Sequence, residues 1–90
     1  MAKVPFPEKY QVMRRFGDVI RDCRTARGLT QSGLAEISSI DRSYLANMEA
    51  GEHSPTIIVL WRLARALRVT PSHMIATLEK VVDGSSHRLY

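Results

Sequence analysis

At 90 residues, 44% hydrophobic and 24% charged, with a formal net charge of +4, the chain has the size of one globular domain. That leaves no room for a ligand-sensing module beside a second domain, and the composition excludes a disordered chain. No apolar run reaches the ~18 residues of a membrane span and the N-terminus lacks a signal-peptide layout, so a cytoplasmic protein without membrane attachment is expected. The single cysteine, Cys23, rules out an internal disulfide framework.

Residues 1–13 read as an N-terminal extension, 14–82 as the domain and 83–90 as a polar, mobile tail. Pro5 and Pro7 oppose a helix at the very start, although Pro7 suits a first helical turn, and Tyr10, Met13, Phe16 or Gly17, and Ile20 continue a three-to-four spacing behind it. Gly17 leaves two readings: one long helix to Ala26, or a short turn before a helix from about Arg14. In both, Phe16, Val19, Ile20 and Cys23 form the apolar stripe, which makes Cys23 a buried structural thiol, and Gly28 closes the helix.

Thr30 is placed to cap a second helix that opens at Gln31 and turns Leu34, Ala35 and Ile37 inward, before Ser38 and Ser39 break the pattern. Asp41 caps a third helix. Its inward residues are Leu45 and Met48, its outward ones Arg42, Ser43 and Asn47 with Tyr44 at the edge, and Gly51 stops it. After the loop Glu52 to Pro55, Thr56 caps a fourth helix whose core face is read as Ile57, Leu60, Trp61, Ala64 and Leu67. Ile58, Val59 and Leu63 fall outside that face and are candidates for a partner surface. Thr70 and Pro71 open a fifth helix with the stripe Met74, Ile75, Leu78, Val81 and Val82; part of it closes the core and the rest is free to pair with a second copy.

Arginine, serine and asparagine on the outer face of the third helix supply a fork for guanine, a hydroxyl for base or phosphate and an amide for adenine. Taken singly, each is better read as part of a solvated helix face. No nucleophile and base pair up and no phosphate-binding loop occurs. His53, His73 and His87 are too scattered for a metal, and Asp18, Asp22 and Glu36 read as solvated charges. The expectation is a protein that is not an enzyme and uses no cofactor or metal.

The runs L-T-Q-x-x-L-A, D-R-S-Y-L-x-x-M-E-x-G, S-P-T and L-x-R-L-A-R-A-L-x-V, spread without a gap from about Phe16 to Leu78, resemble the phage-repressor (Cro/C1, Xre) type of helix-turn-helix domain. The D-R-S-Y form is similar to controller proteins of restriction-modification systems. The resemblance implies an all-α, compact five-helix lambda-repressor-like fold and a sequence-specific transcriptional regulator, nucleoid-associated in a prokaryotic or phage setting. Such a regulator acts as a homodimer on a pseudo-palindromic double-stranded DNA operator. By position it implies base or backbone reading by Arg42, Ser43, Tyr44 and Asn47, a phosphate grip by Gln31, and a structural salt bridge between Arg24 and Glu49. Beside what the resemblance implies, the basic flanking segments offer Lys9, Arg14 and Arg15 as the first phosphate-binding candidates and Arg27 as another, with Thr30 next to Gln31. Dimerisation falls to Met74, Ile75, Leu78 and Val82, with Leu63 beside them. Three positions depart from the family pattern: Ser38 replaces an aliphatic residue, and Ser39 and Arg68 replace turn glycines. Each non-glycine residue in a left-handed turn costs about 1 kcal/mol.

Charge placement pulls the other way. Residues 1–30 carry +4, 31–60 carry −3 with Arg42 as their one Lys or Arg, and 61–90 carry +3. Phosphate neutralisation supplies most non-specific DNA affinity, so an acidic middle third opposes it. That balance, together with Ile58, Val59 and Leu63, motivates an alternative: an antitoxin-like protein-interaction module with a protein partner and secondary DNA binding.

Overall fold

The computed structural model describes residues 9–84. The proline-containing lead-in and the tail beyond Gly84, with His87, lie outside them. Five helices follow in order: α1 Lys9–Ala26, α2 Gln31–Ser38, α3 Arg42–Glu49, α4 Ile57–Leu67 and α5 Pro71–Asp83. Helix α1 lies against α3 and α5, while α2 packs on α3 and α4, so one core fills the space between them. Its largest fully enclosed members are Ile20, Leu34, Leu45, Met48, Leu63, Leu67 and Met74.

Capping chemistry sets most of the helix starts. The hydroxyls of Thr30, Thr56 and Thr70 accept from the amides of Gly33, Val59 and His73 at 3.0, 3.1 and 3.0 Å, satisfying donors that a helix start leaves open. Four helix ends share one turn. Beyond α1, α2, α3 and α4 a residue at positive φ (Gly28, Ser39, Gly51, Arg68) lets the next amide reach back five residues: Leu29 to Arg24, Ile40 to Ala35, Glu52 to Asn47 and Val69 to Ala64. This is the Schellman closure. Ser39 (φ 57°) and Arg68 (φ 59°) adopt it without the glycine that makes it free of strain.

Helix α1 runs unbroken through Gly17, which selects the single-helix reading and puts the boundary expected at residue 14 inside a helix whose Met13 is already buried. The glycine has a packing reason. A Cβ there would stand 2.5 Å from the Glu49 carbonyl oxygen and 2.6 Å from that of Met48, so α1 crosses the last turn of α3 backbone to backbone. Gly51 extends the seam: its Cβ would lie 2.8 Å from Arg14 Cα.

Several expected core positions are corrected. Ile37 faces solvent at 58% exposure, and on α4 both Ile57 and Trp61 are exposed (65% and 49%) while Leu63 is fully buried. The stripe Leu60, Leu63, Ala64, Leu67 has the same spacing as the expected one and shares three of its residues. Because α4 is held between α2 and α5, the buried arc centres on Leu63 and turns Trp61 out. Leu63 and Met74, both at 0% exposure, belong to the monomer core and are unavailable for dimerisation. Of the three partner-surface candidates, only Ile58 is exposed; Val59 is half-buried against the core. Cys23 is half-buried rather than enclosed, and burial, with Asp22 beside it, holds its thiol above the usual range.

Candidate nucleic-acid interface

The two sides of α3 are built differently. Behind it, Leu45 and Met48 enter the core and Glu49 is 5% exposed. Arg24 reaches Glu49 from α1, its Nε and Nη2 donating to the carboxylate at 2.7 and 2.9 Å, and its Nη1 donates to the Leu29 carbonyl at 2.9 Å. Gln31 Nε2 on α2 donates to the same carboxylate at 3.0 Å. One carboxylate therefore ties three helices, and every buried side-chain polar atom of the tie has a partner, as a buried ion pair requires. The Glu49 hydrogen bond holds the Arg24 guanidinium above its ordinary pKa, outweighing its desolvation.

In front, Arg42 and Ser43 at the first turn are exposed and Asn47, one turn on, is half-buried. Asp41 sits at the N-cap without closing a full cap bond. Instead the Ser43 hydroxyl donates to it; this bond, aided by the nearby Tyr44 and Ser43 amides, holds the Asp41 carboxyl below the usual range. Tyr44 leans the other way, its hydroxyl donating to the Ser54 carbonyl at 3.2 Å and its ring meeting His53 edge-on at 6.0 Å. The loop after α3 is thereby attached to the outer face. Nothing in the local sequence pattern signals this contact, since Tyr44 and Ser54 are ten residues apart and in different elements.

The phosphate-binding candidates divide. Arg27 and Thr30 are exposed beside half-buried Gln31 at the start of α2. Thr30's hydroxyl oxygen accepts as a cap and one N–H of Gln31 Nε2 is engaged on Glu49, which leaves the Thr30 hydroxyl hydrogen, the second Gln31 Nε2 hydrogen and the helix amides of that turn as donors for a phosphate. Arg14 is exposed but lies against Gly51 at the far end of α3 from Arg42. The acidity of the middle third also changes meaning: Glu49 is neutralised in the interior by Arg24 from the basic first third, so the surface there is less acidic than the residue count.

A bare outer face on a short second helix, anchored from behind through a preceding helix and a tight turn, is the geometry of a helix-turn-helix. The HTH_3 helix-turn-helix family model matches residues 20–74. The chain belongs to the HTH_3 family. Among curated relatives of this HTH_3 chain, an uncharacterised HTH-type transcriptional regulator, y4dJ, of Sinorhizobium fredii is 32% identical over 62 residues, covering 69% of this chain and 80% of the relative. The immunity repressor protein of Bacillus phage phi105 is 37% identical over 59 residues, 66% of this chain and 41% of that one. Among solved structures, the restriction-modification controller protein C.AhdI from Aeromonas hydrophila superposes with a TM-score of 0.67 at 37% identity, covering 69% of this chain and 94% of that one. The wild-type controller protein C.Esp1396I gives a TM-score of 0.70 at 29% identity over 77% of this chain and 88% of that one. The all-α, five-helix Cro/C1-type fold expected from the sequence is thus the one found. Among the described residues no helix is long and apolar enough to cross a membrane.

Proposed function

We propose that this chain is a sequence-specific transcriptional regulator that binds a pseudo-palindromic DNA operator as a homodimer, with α3 in the major groove. The observation that carries this reading is the asymmetry of α3: Glu49 behind it is locked by Arg24 and Gln31, while Arg42 and Ser43 in front are exposed. Arg42 serves as the guanine-reading fork and Asn47 as the amide reader. Ser43 exchanges its bond with Asp41 for a base or phosphate. Tyr44, tied to Ser54, positions the following loop against the DNA backbone. Gln31, Thr30 and Arg27 grip phosphates at the start of α2, where helix amides point outward. Arg14, Lys9 and Arg15 add long-range attraction.

For the second copy, the half-buried Leu78 and Val82 and the exposed Ile75 on α5 join Val12 and Ile57 along two adjoining shallow apolar grooves. Two copies joined there place their α3 helices in successive major grooves about 34 Å apart. Selection of bound sequences from a random duplex pool tests the reading: two half-sites one helical turn apart are expected, and recovery of no motif refutes it. Arg42→Ala should cost about 1–3 kcal/mol and relax preference at one base pair, whereas Gln31→Ala should weaken all sequences alike. Equal loss on operator and random DNA for Arg42→Ala removes its base-reading role.

A further inference from the structure

The surface of α4 that turned out to be exposed carries a further groove, lined by no residue of α3. It is an open trough of about 590 Å³ between the C-terminal turn of α2 and α4. Three large apolar side chains, Ile37, Ile58 and Trp61, line it at 58%, 62% and 49% exposure. Arg62 and Arg65 form its charged wall. No Asp or Glu occurs between Glu52 and Glu79, a span that contains Arg62, Arg65 and Arg68. The apolar residues need no exposure for folding, because Leu60, Leu63, Ala64 and Leu67 already fill the inner side of α4.

The charge pattern selects the occupant. A DNA backbone seeks cations and hydrogen-bond donors and gains nothing from an isoleucine and tryptophan floor. A second copy docking symmetrically would bring its own Arg62 and Arg65 against these, opposing like charges across the contact. An acidic amphipathic helix meets both features: apolar anchors at helical spacing fill the floor and carboxylates pair with the arginines, the helix-in-groove mode of recognition.

We propose that the α2/α4 groove is a docking site for an acidic amphipathic helix of a partner protein, which the regulator can hold while α3 is engaged elsewhere. Trp61, the chain's one tryptophan, reports directly on the groove. The test is a displayed library of random peptides about sixteen residues long, selected on the full chain, with binding of the winners read by Trp61 emission. The expected winners combine Asp or Glu with apolar residues at i, i+3/i+4 and i+7, shift Trp61 emission to the blue, and lose at least about tenfold in affinity against the Arg62→Glu, Arg65→Glu double variant. Both substituted side chains are exposed and only Arg62 gives up a bond, a long one to the Ser39 carbonyl at 3.5 Å, so that variant should keep its helical circular dichroism, its oligomeric state and its preference for operator over random DNA, with affinity for both lowered alike by the lost net positive charge. Winners that are neutral or basic, or none at all, overturn the proposal. A double variant that loses its preference for operator over random DNA assigns the wall to the DNA interface instead, and a changed oligomeric state assigns it to a contact between copies.

Discussion

The back and the front of α3 obey different rules. At the back, Leu45, Met48 and Glu49 have no freedom: two are sealed in the core, the third is shared by Arg24 and Gln31, and Gly17 lets α1 touch the backbone of the same turn. At the front, Arg42 is exposed and Ser43 and Tyr44 hold only single hydrogen bonds to Asp41 and Ser54. Folding fixes the first set. The second is not locked in this way, and the contrast teaches that, on the proposed reading, orientation and recognition fall to separate residues of one eight-residue helix.

The contrast is broken most severely by removing its anchor. Glu49→Ala leaves the Arg24 guanidinium, only 13% exposed at the side chain, without its carboxylate. The expected loss is about 3 kcal/mol, a fall in Tm of about 15 °C, with DNA affinity falling on all sequences together. A thermal melt within a few degrees of the parent would show that the tie is dispensable. Gly17→Ala should follow at about 2 kcal/mol, because the nearest obstacles to its Cβ are backbone carbonyls that cannot rotate away. A chemical-denaturation midpoint unchanged by this single methyl would refute the close approach of α1 and α3.

Between the two sides lies the turn from α2, where Ser39→Gly should stabilise by about 1 kcal/mol through relief of a left-handed φ, as should Arg68→Gly at the end of α4. Equal or lower melting temperatures would mean that these side chains contribute more than the strain they bear. Smallest of all on stability are Arg42→Ala and Ser43→Ala, each within about 0.5 kcal/mol of the parent. Ser43→Ala carries a separate signature: loss of its bond should raise the Asp41 pKa toward the ordinary carboxylate value, read by NMR titration. A pKa that does not rise removes that bond from the account.

Much of this division is written in local sequence. Threonines before α2, α4 and α5 mark their starts because a short hydroxyl can do little else there so well, and Leu34, Leu45, Met48 and Leu67 lie on unambiguous inward faces. The side of α4 was not legible. Ile57, Ile58, Val59, Leu60, Trp61 and Leu63 make its first half apolar almost all round, so two stripes of equal spacing fit, and only the positions of α2 and α5 decide between them. Ile37 failed for a related reason: a two-turn helix samples its period too briefly to assign its last apolar residue. Tyr44's attachment to Ser54 and the cause of Gly17 are long-range facts, visible only when separate elements meet.

The backbone contact between α1 and α3 bears on how new binding preferences can arise. Since carbonyls, not side chains, form the surface opposite Gly17, the pitch of α3 is insensitive to which residues occupy its outer positions. If α3 reads DNA as proposed, exchanging Arg42, Ser43 or Asn47 alters the letters being matched without re-aiming the helix that presents them. A scaffold of this kind lends itself to reprogramming by a handful of outward substitutions, whereas changes at its inner seam would blunt every operator at once.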